Sequence, residues 1–242
     1  MKRSRLYLAA TALTLLPTPA FAGPPYDTDD PEPTDYRHWE IYLFGAGARS
    51  LGAFDGSAGL DLNYGAAKNL QLTATLPVDF TRGSGARSGI GDVELGIKYR
   101  FYHDEAAGFS IAAFPRLILP SSGKRFGSGK TGMLLPVWVQ KDVGKWSLFG
   151  GGGYAINPGA GNRDYWQVAG AVTREVSSRL SLGVEATHRG PDAFGGRPTT
   201  TLGVGGVWRL KGPLALLASA GPSFAGRGGD KYHAYVALGL NF

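Results

Sequence analysis

The sequence predicts an all-β chain: an up-and-down antiparallel transmembrane β-barrel of about 12 strands, preceded by an N-terminal signal peptide. Three observations carry this. Segments of about a dozen residues alternate in polarity along nearly the whole chain. The connections between them are short and long by turns. The last segment, Lys231 to Phe242, alternates strictly and stops on an aromatic residue. Such a segment, apolar on one face and mixed on the other, is what closes a bacterial outer-membrane barrel, and it makes most soluble-enzyme readings unattractive.

The first element is the leader. Lys2, Arg3 and Arg5 precede an apolar run from Leu6 to Leu16, and Ala20 and Ala22 supply the small residues that signal peptidase requires. Residues 1–22 are therefore read as a cleaved signal peptide, with cleavage after Ala22. The apolar run is too short to span a bilayer as a helix, and no later segment has the 18 or more apolar residues that would. The leader carries three bases and no acid, so its removal lowers the formal charge from +6 to +3. The basic balance thus gives no support for nucleic-acid binding. Cysteine is absent, which removes disulfides and thiolate metal sites. Glycine is abundant, 38 of 242 residues, about twice the usual share of roughly 7%. Many glycines lie inside the alternating runs, where they permit curvature and leave room on an inner wall.

Residues 23–37 form a Pro- and acid-rich arm, GPPYDTDDPEPTD over 23–35, read as an irregular periplasmic lead-in that docks at most into the barrel mouth. Asp27, Asp29, Asp30, Glu32 and Asp35 could hold a divalent cation, but the prolines disfavour an ordered cation loop, and a solvated lead-in is preferred. The barrel itself occupies 38–242.

Twelve segments follow, near 38–48, 56–66, 69–80, 89–102, 107–119, 131–142, 144–156, 164–176, 179–189, 199–210, 212–224 and 231–242. Tight turns fall at 66–69, 142–145, 176–179 and 210–213, with a slightly longer one at 103–106. Longer glycine-rich loops occupy 50–55, 81–88, 121–130, 157–163, 190–198 and 225–230. Short periplasmic turns opposite long external loops, with an even strand number, describe an outer-membrane barrel with both termini in the periplasm. A β-sandwich is the alternative; it would not need an outward apolar set on nearly every strand.

Facing follows from cost. A Lys or Arg on the lipid face near the midplane costs roughly 2–4 kcal/mol, so charges belong to the inner parity. Leu95, Ile97, Tyr99 and Phe101 then face outward, and Asp92, Glu94, Lys98 and Arg100 inward. Trp138 and Phe149 break the pattern, since they fall on the inner parity. Two aromatic girdles are expected: Trp39, Tyr99, Phe101, Trp146, Trp208 and Phe242 on one rim, and Phe80, Tyr154, Trp166, Phe224 and Tyr232 on the other.

The candidate lumen-lining residues are Asp79, Asp92, Glu94, Lys98, Arg100, Arg116, Glu185, Arg209 and Lys231, with Glu40 and Asp61 beside them. Register from the turn at 103–106 puts Glu94 near Arg116. These charges either neutralise one another across strands or form a constriction that selects solutes, and cross-strand neutralisation is slightly preferred. Lys124, Arg125 and Lys130 make a basic external loop suited to lipopolysaccharide phosphates or to attracting anionic solutes. The run FGSGKT at 126–131 lacks the first glycine of a phosphate loop, because Lys124 stands at that position. Tyr232, Val236, Leu238, Leu240 and Phe242 form the C-terminal signal for the barrel-assembly machinery. A lipid hydrolase would need a nucleophile, a base and an orienting group near the outer rim; His188 and His233 lie near that rim, and Ser223 could approach His233 across the last hairpin.

GIGDVELGIKYRF at 89–101, Leu119 and Pro120 with Gly127 to Gly129, Leu135 to Val137, Gly151 to Tyr154, and His38 to Glu40 after the Pro-rich lead-in give the chain a family likeness. It resembles the outer-membrane transporter family of the meta-pathway of phenol degradation. The resemblance implies an outer-membrane barrel and uptake of small compounds, aromatic ones included; it carries over no binding residues. With the residues, it leads to the expectation of a monomeric channel for passive passage of small solutes, with no cofactor, no enzymatic activity and no nucleic-acid partner. Outer-membrane lipid and lipopolysaccharide, the assembly machinery and the solute are its expected partners. A non-conducting envelope structural or assembly barrel is the second reading, and the lipid hydrolase the third.

Overall fold

A computed structural model describes residues 25–242 except 51–52, 84, 122–125, 127–128 and 226–230. The signal-peptide residues Ala20 and Ala22, and Lys124 and Arg125 of the external loop, lie outside the described residues.

Alternating sequence becomes strand throughout: β1 (Trp39–Ser50), β2 (Ala53–Ala67), β3 (Leu70–Arg82), β4 (Arg87–Ile90), β5 (Val93–Asp104), β6 (Phe109–Ala113), β7 (Arg116–Leu119), β8 (Gly132–Val143), β9 (Trp146–Ile156), β10 (Tyr165–Ser177), β11 (Leu180–Arg189), β12 (Thr199–Arg209), β13 (Leu214–Phe224) and β14 (Lys231–Asn241). Every pairing of these strands is antiparallel, and β1 pairs with β14 from Glu40 opposite Asn241 to Ser50 opposite Lys231, which closes the sheet on itself. Closure pairs the strands round the cylinder through backbone hydrogen bonds, as a bilayer demands, with β4 paired on its β3 side.

The fourth and fifth sequence segments, 89–102 and 107–119, are each broken in two. β4 and β5 lie end to end on β3, and β6 and β7 lie end to end between β5 and β8. The barrel thus has twelve staves built from fourteen pieces. The first break falls at Gly91, which lies so close to the Asp79 carboxylate that a Cβ there would clash. Ser121 bridges the gap: its hydroxyl accepts from the Val93 N–H at 2.7 Å and donates to the Gly91 carbonyl at 2.9 Å. The second break falls at Pro115, which has no N–H to give the ladder. Alternation does not reveal the second interruption, because the outward parity of Ala113 resumes at Leu117; at the first, the register on β3 slips by one residue, and the outward set changes from Ile90 to Leu95 and Ile97.

The turns follow their residues. Asn69 (φ 64°) joins β2 to β3, and Gly144 (φ 62°) sits between β8 and β9, left-handed positions that favour these two residue types. The outer face is apolar as expected: Leu72, Leu76, Leu95, Ile97, Val184, Val204, Val236 and Leu238 are all exposed, while Lys98 and Glu185 on the inner parity are 1% and 5% exposed. Both proposed girdles are exposed except Phe80, which is half-buried and stacks on Phe54 at 5.9 Å. Of the C-terminal set, Tyr232, Val236, Leu238 and Phe242 are exposed and Leu240 is half-buried.

Trp138 and Phe149 are not exceptions to the pattern. They are interior residues, 0% and 7% exposed, that fill lumen volume, and Phe149 lies 6.4 Å from the ring of Tyr26 in the arm. Glycines make room for such groups: a Cβ at Gly96 would clash with the Phe114 ring, and one at Gly239 with Tyr42.

Candidate functional site: the barrel lumen

The arm is not a solvated lead-in. Residues 25–35 run through the barrel interior, and Thr28, Pro31 and Thr34 are buried. The wall meets the arm with hydrogen bonds on several strands. Glu185 of β11 accepts from the Thr28 N–H at 3.1 Å, its hydroxyl at 3.0 Å and the Asp27 N–H at 3.3 Å. Gln71 of β3 accepts from the Thr34 N–H at 2.7 Å and is itself fixed by donating to Asn63 and Thr73. On β13, Ser219 donates to the Pro25 carbonyl.

The charges of the two partners are complementary. Lys98 of β5 donates to Asp29 at 2.9 Å, lies 3.6 Å from Asp30 and reaches the Glu32 carbonyl at 3.3 Å. Arg100 pairs with Glu32, whose other oxygen accepts from Ser110 at 3.1 Å. This corrects the expectation of cross-strand neutralisation: among the described residues, Glu94 with Arg116, at 3.4 Å, is the inward wall-to-wall ion pair, while Lys98 and Arg100 turn to the arm. The reason is geometric. A chain threaded along the inside of the barrel brings a carboxylate to each of these bases. Arg209 ends β12 half-buried, and its Nε has no partner among the described residues.

Burial drives the Asp30 carboxyl up from its ordinary 3.8 to about 7, with Lys98 opposing the shift and Asp29 and Glu32 reinforcing it. The docked arm therefore takes up a proton at Asp30 at higher pH than a released arm does. Between pH 3.8 and about 7, rising pH costs the docked state stability and falling pH restores it. Protease cleavage of the arm is expected to be slower at pH 5 than at pH 8, and the difference should shrink in Asp30→Asn. Equal rates at both pH values would contradict the assignment.

Beyond the arm the lumen opens into a cavity of about 700 Å³, lined by Tyr26, Asp27 and Asp29 of the arm and by wall residues including Asp61, Glu94, Arg116 and Lys231. A second chamber of about 460 Å³ adjoins it and contains Asp79 and Asp92 as well. The structure thus brings Asp79, Asp92, Glu94, Lys98, Arg116 and Lys231 to these two spaces; Arg100 and Glu185 face the arm instead. Lys130 is exposed. The contribution of the arm was missed because its sequence gives no periodic signal. The one available clue was five carboxylates ahead of a barrel with inward bases.

Ser223 approaches His233 across the last hairpin as expected, but His188 does not join them. Ser223 lies 3.5 Å from His233 Nδ1 and 3.0 Å from Thr201, and His233 Nε2 has no partner among the described residues. His188 has the outward parity of Val184, stacks on the exposed Trp166 at 5.2 Å and contacts Thr200 at 2.8 Å. One imidazole faces the lumen and the other faces out.

The family model described as "Putative MetA-pathway of phenol degradation" matches residues 34–237. This chain belongs to that family. Among solved structures it is similar to the COG4313 outer membrane channel from Pseudomonas putida F1, at 18% identity and a TM-score of 0.63, covering 87% of this chain and 99% of that one. It is also similar to the KdgM porin (11% identity, TM-score 0.59, 83% and 99% covered) and to the translocator domain of autotransporter NalP from Neisseria meningitidis (13%, 0.58, 85% and 88%). At these identities the likeness establishes the fold, an outer-membrane-type barrel. No curated protein matches the chain.

Proposed function

We propose that this family member is an outer-membrane channel for passive passage of small solutes, aromatic or hydrophobic ones included, acting as a monomer with neither enzymatic activity nor cofactor. The observation that carries the reading is a closed barrel holding a polar cavity of about 700 Å³, large enough for a single-ring compound. The family description and the channels and porins of like fold support it. On this reading residues 1–22 are a removed signal peptide and the arm enters from the periplasmic side. Lys124, Arg125 and Lys130 then meet lipopolysaccharide, and the C-terminal strand from Tyr232 to Phe242 engages the assembly machinery.

A second reading, a non-conducting envelope barrel, draws on one feature: the arm, Trp138 and Phe149 together fill part of the lumen. Liposome swelling separates the two. Proteoliposomes of the mature chain should swell in isotonic sugars, amino acids or simple phenols faster than protein-free vesicles. Vesicles that hold the folded barrel yet do not swell in any of them would favour the sealed barrel.

A further inference from the structure

The two lumen chambers have five lining residues in common: Asp61 of β2, Thr75 of β3, Glu94 of β5, Arg116 of β7 and Tyr235 of β14. These residues form the neck where the 700 and 460 Å³ spaces adjoin, so a solute crossing between them passes within reach of all five. The neck is built rather than incidental. Arg116 is held 3.4 Å from Glu94, and its guanidinium lies 5.2 Å from the centre of the Phe114 ring, which itself rests over Gly96. Asp61 accepts from the Thr75 hydroxyl at 3.3 Å. Tyr235 stacks on Phe44 with centroids 6.4 Å apart and planes 12° from parallel, presenting a ring to the same space.

Counting charge decides what the neck prefers. Its two carboxylates face one guanidinium, and the smaller chamber adds Asp79 and Asp92 while Arg116 remains the one base among its described lining residues. Glu94 is already engaged by Arg116, which leaves Asp61 as the carboxylate at the neck held by a neutral hydroxyl. A cation in a narrow, partly dehydrated passage gains from such a field, and an aromatic face adds a second attraction for an organic ammonium. An anion meets the opposite field with one guanidinium to offset it.

We propose that this neck is the charge filter of the lumen: it admits small solutes bearing an ammonium group in preference to carboxylates, and Arg116 is the residue that limits the preference. The inference rests on the channel reading above and names its substrate class. Neither residue is needed to close the barrel, since both project inward from strands whose ladders are made by backbone groups.

The test is the reversal potential of the mature chain in planar bilayers across a KCl gradient at pH 8. The wild type should favour potassium over chloride. Arg116→Gln should raise that permeability ratio by about threefold and Asp61→Asn should lower it by a similar factor, as expected for removing one charge of either sign from a confined passage. Arg116→Lys should keep the wild-type ratio. Swelling rates should move in parallel, with a primary amine entering faster than a carboxylate of equal size. Heat-modifiable mobility on gels reports that each variant is folded, and Asp61→Asn alone suffices if Arg116→Gln is not. A wild type that prefers chloride, or ratios that stay fixed in both variants, would overturn the filter while leaving the channel standing. A folded wild type that carries no current overturns both.

Discussion

Deleting residues 25–35 is expected to raise single-channel conductance several-fold while the barrel remains folded. The wall does not need the arm to close: β1 and β14 pair along eleven residue pairs, and the two ends of the barrel chain exchange backbone hydrogen bonds between Trp39 and Phe242 at 2.8 and 3.0 Å. The arm is held chiefly by wall side chains. Removing it turns buried wall groups such as Lys98, Gln71 and Glu185 into groups facing a water-filled lumen. Polar groups that lose a protein partner but gain water pay little. The vacated volume then carries ions. Conductance steps in planar bilayers, compared between the mature chain and the deletion, give the answer; equal steps would mean that ions bypass the arm already.

Replacing Lys98 with methionine is expected to weaken arm docking strongly. Lys98 is 1% exposed and serves Asp29, Asp30 and the Glu32 carbonyl at once. Taking one partner from a buried charge cluster costs roughly 3–5 kcal/mol, because the remaining carboxylates are left desolvated without a counter-charge. Here the loss has a ceiling. The arm can leave the lumen and rehydrate Asp29 and Asp30, so the penalty cannot exceed the docking free energy itself. Lys98→Met should therefore behave as a partial arm deletion, with faster proteolysis of residues 25–35 and conductance moving toward that of the deletion. Adding Asp29→Asn and Asp30→Asn should return most of the docking, since the triple variant has no stranded charge. A Lys98→Met protein whose arm is as protected as the wild type's would refute this account.

The pH effect at Asp30 works against the ion pair. Acidification protonates Asp30 and relieves its desolvation, yet it leaves the Lys98 to Asp29 contact in place. Docking is thus stronger where Asp30 carries a proton.

Much of the wall was legible in the residues. Leu72, Leu76, Leu95 and Ile97 face outward because a period of two separates lipid from lumen, and a residue's side of the sheet depends only on its own strand. The Glu94 and Arg116 pair was legible for a similar reason: a short connection between adjacent strands sets the register, whatever happens elsewhere. The break at Pro115 was hidden, since it interrupts pairing without resetting parity, whereas the one at Gly91 shifts the register by one residue and turns Ile90 outward on the parity opposite to Leu95. His188 and His233 share a rim but lie on opposite faces, a difference set by strand parity alone.

Alternation, turn spacing and the closing aromatic strand determined by themselves that this chain forms a twelve-stave barrel with an apolar coat. These are local signals, and a membrane enforces them residue by residue. Only the tertiary structure decided that the acidic arm lies within the lumen, that Lys98 and Arg100 answer to it rather than to the wall, and that Arg116 stands where two chambers meet. Each of those depends on groups far apart in the chain brought together by closure of the cylinder, and no periodicity in the sequence records which side of the lumen faces which.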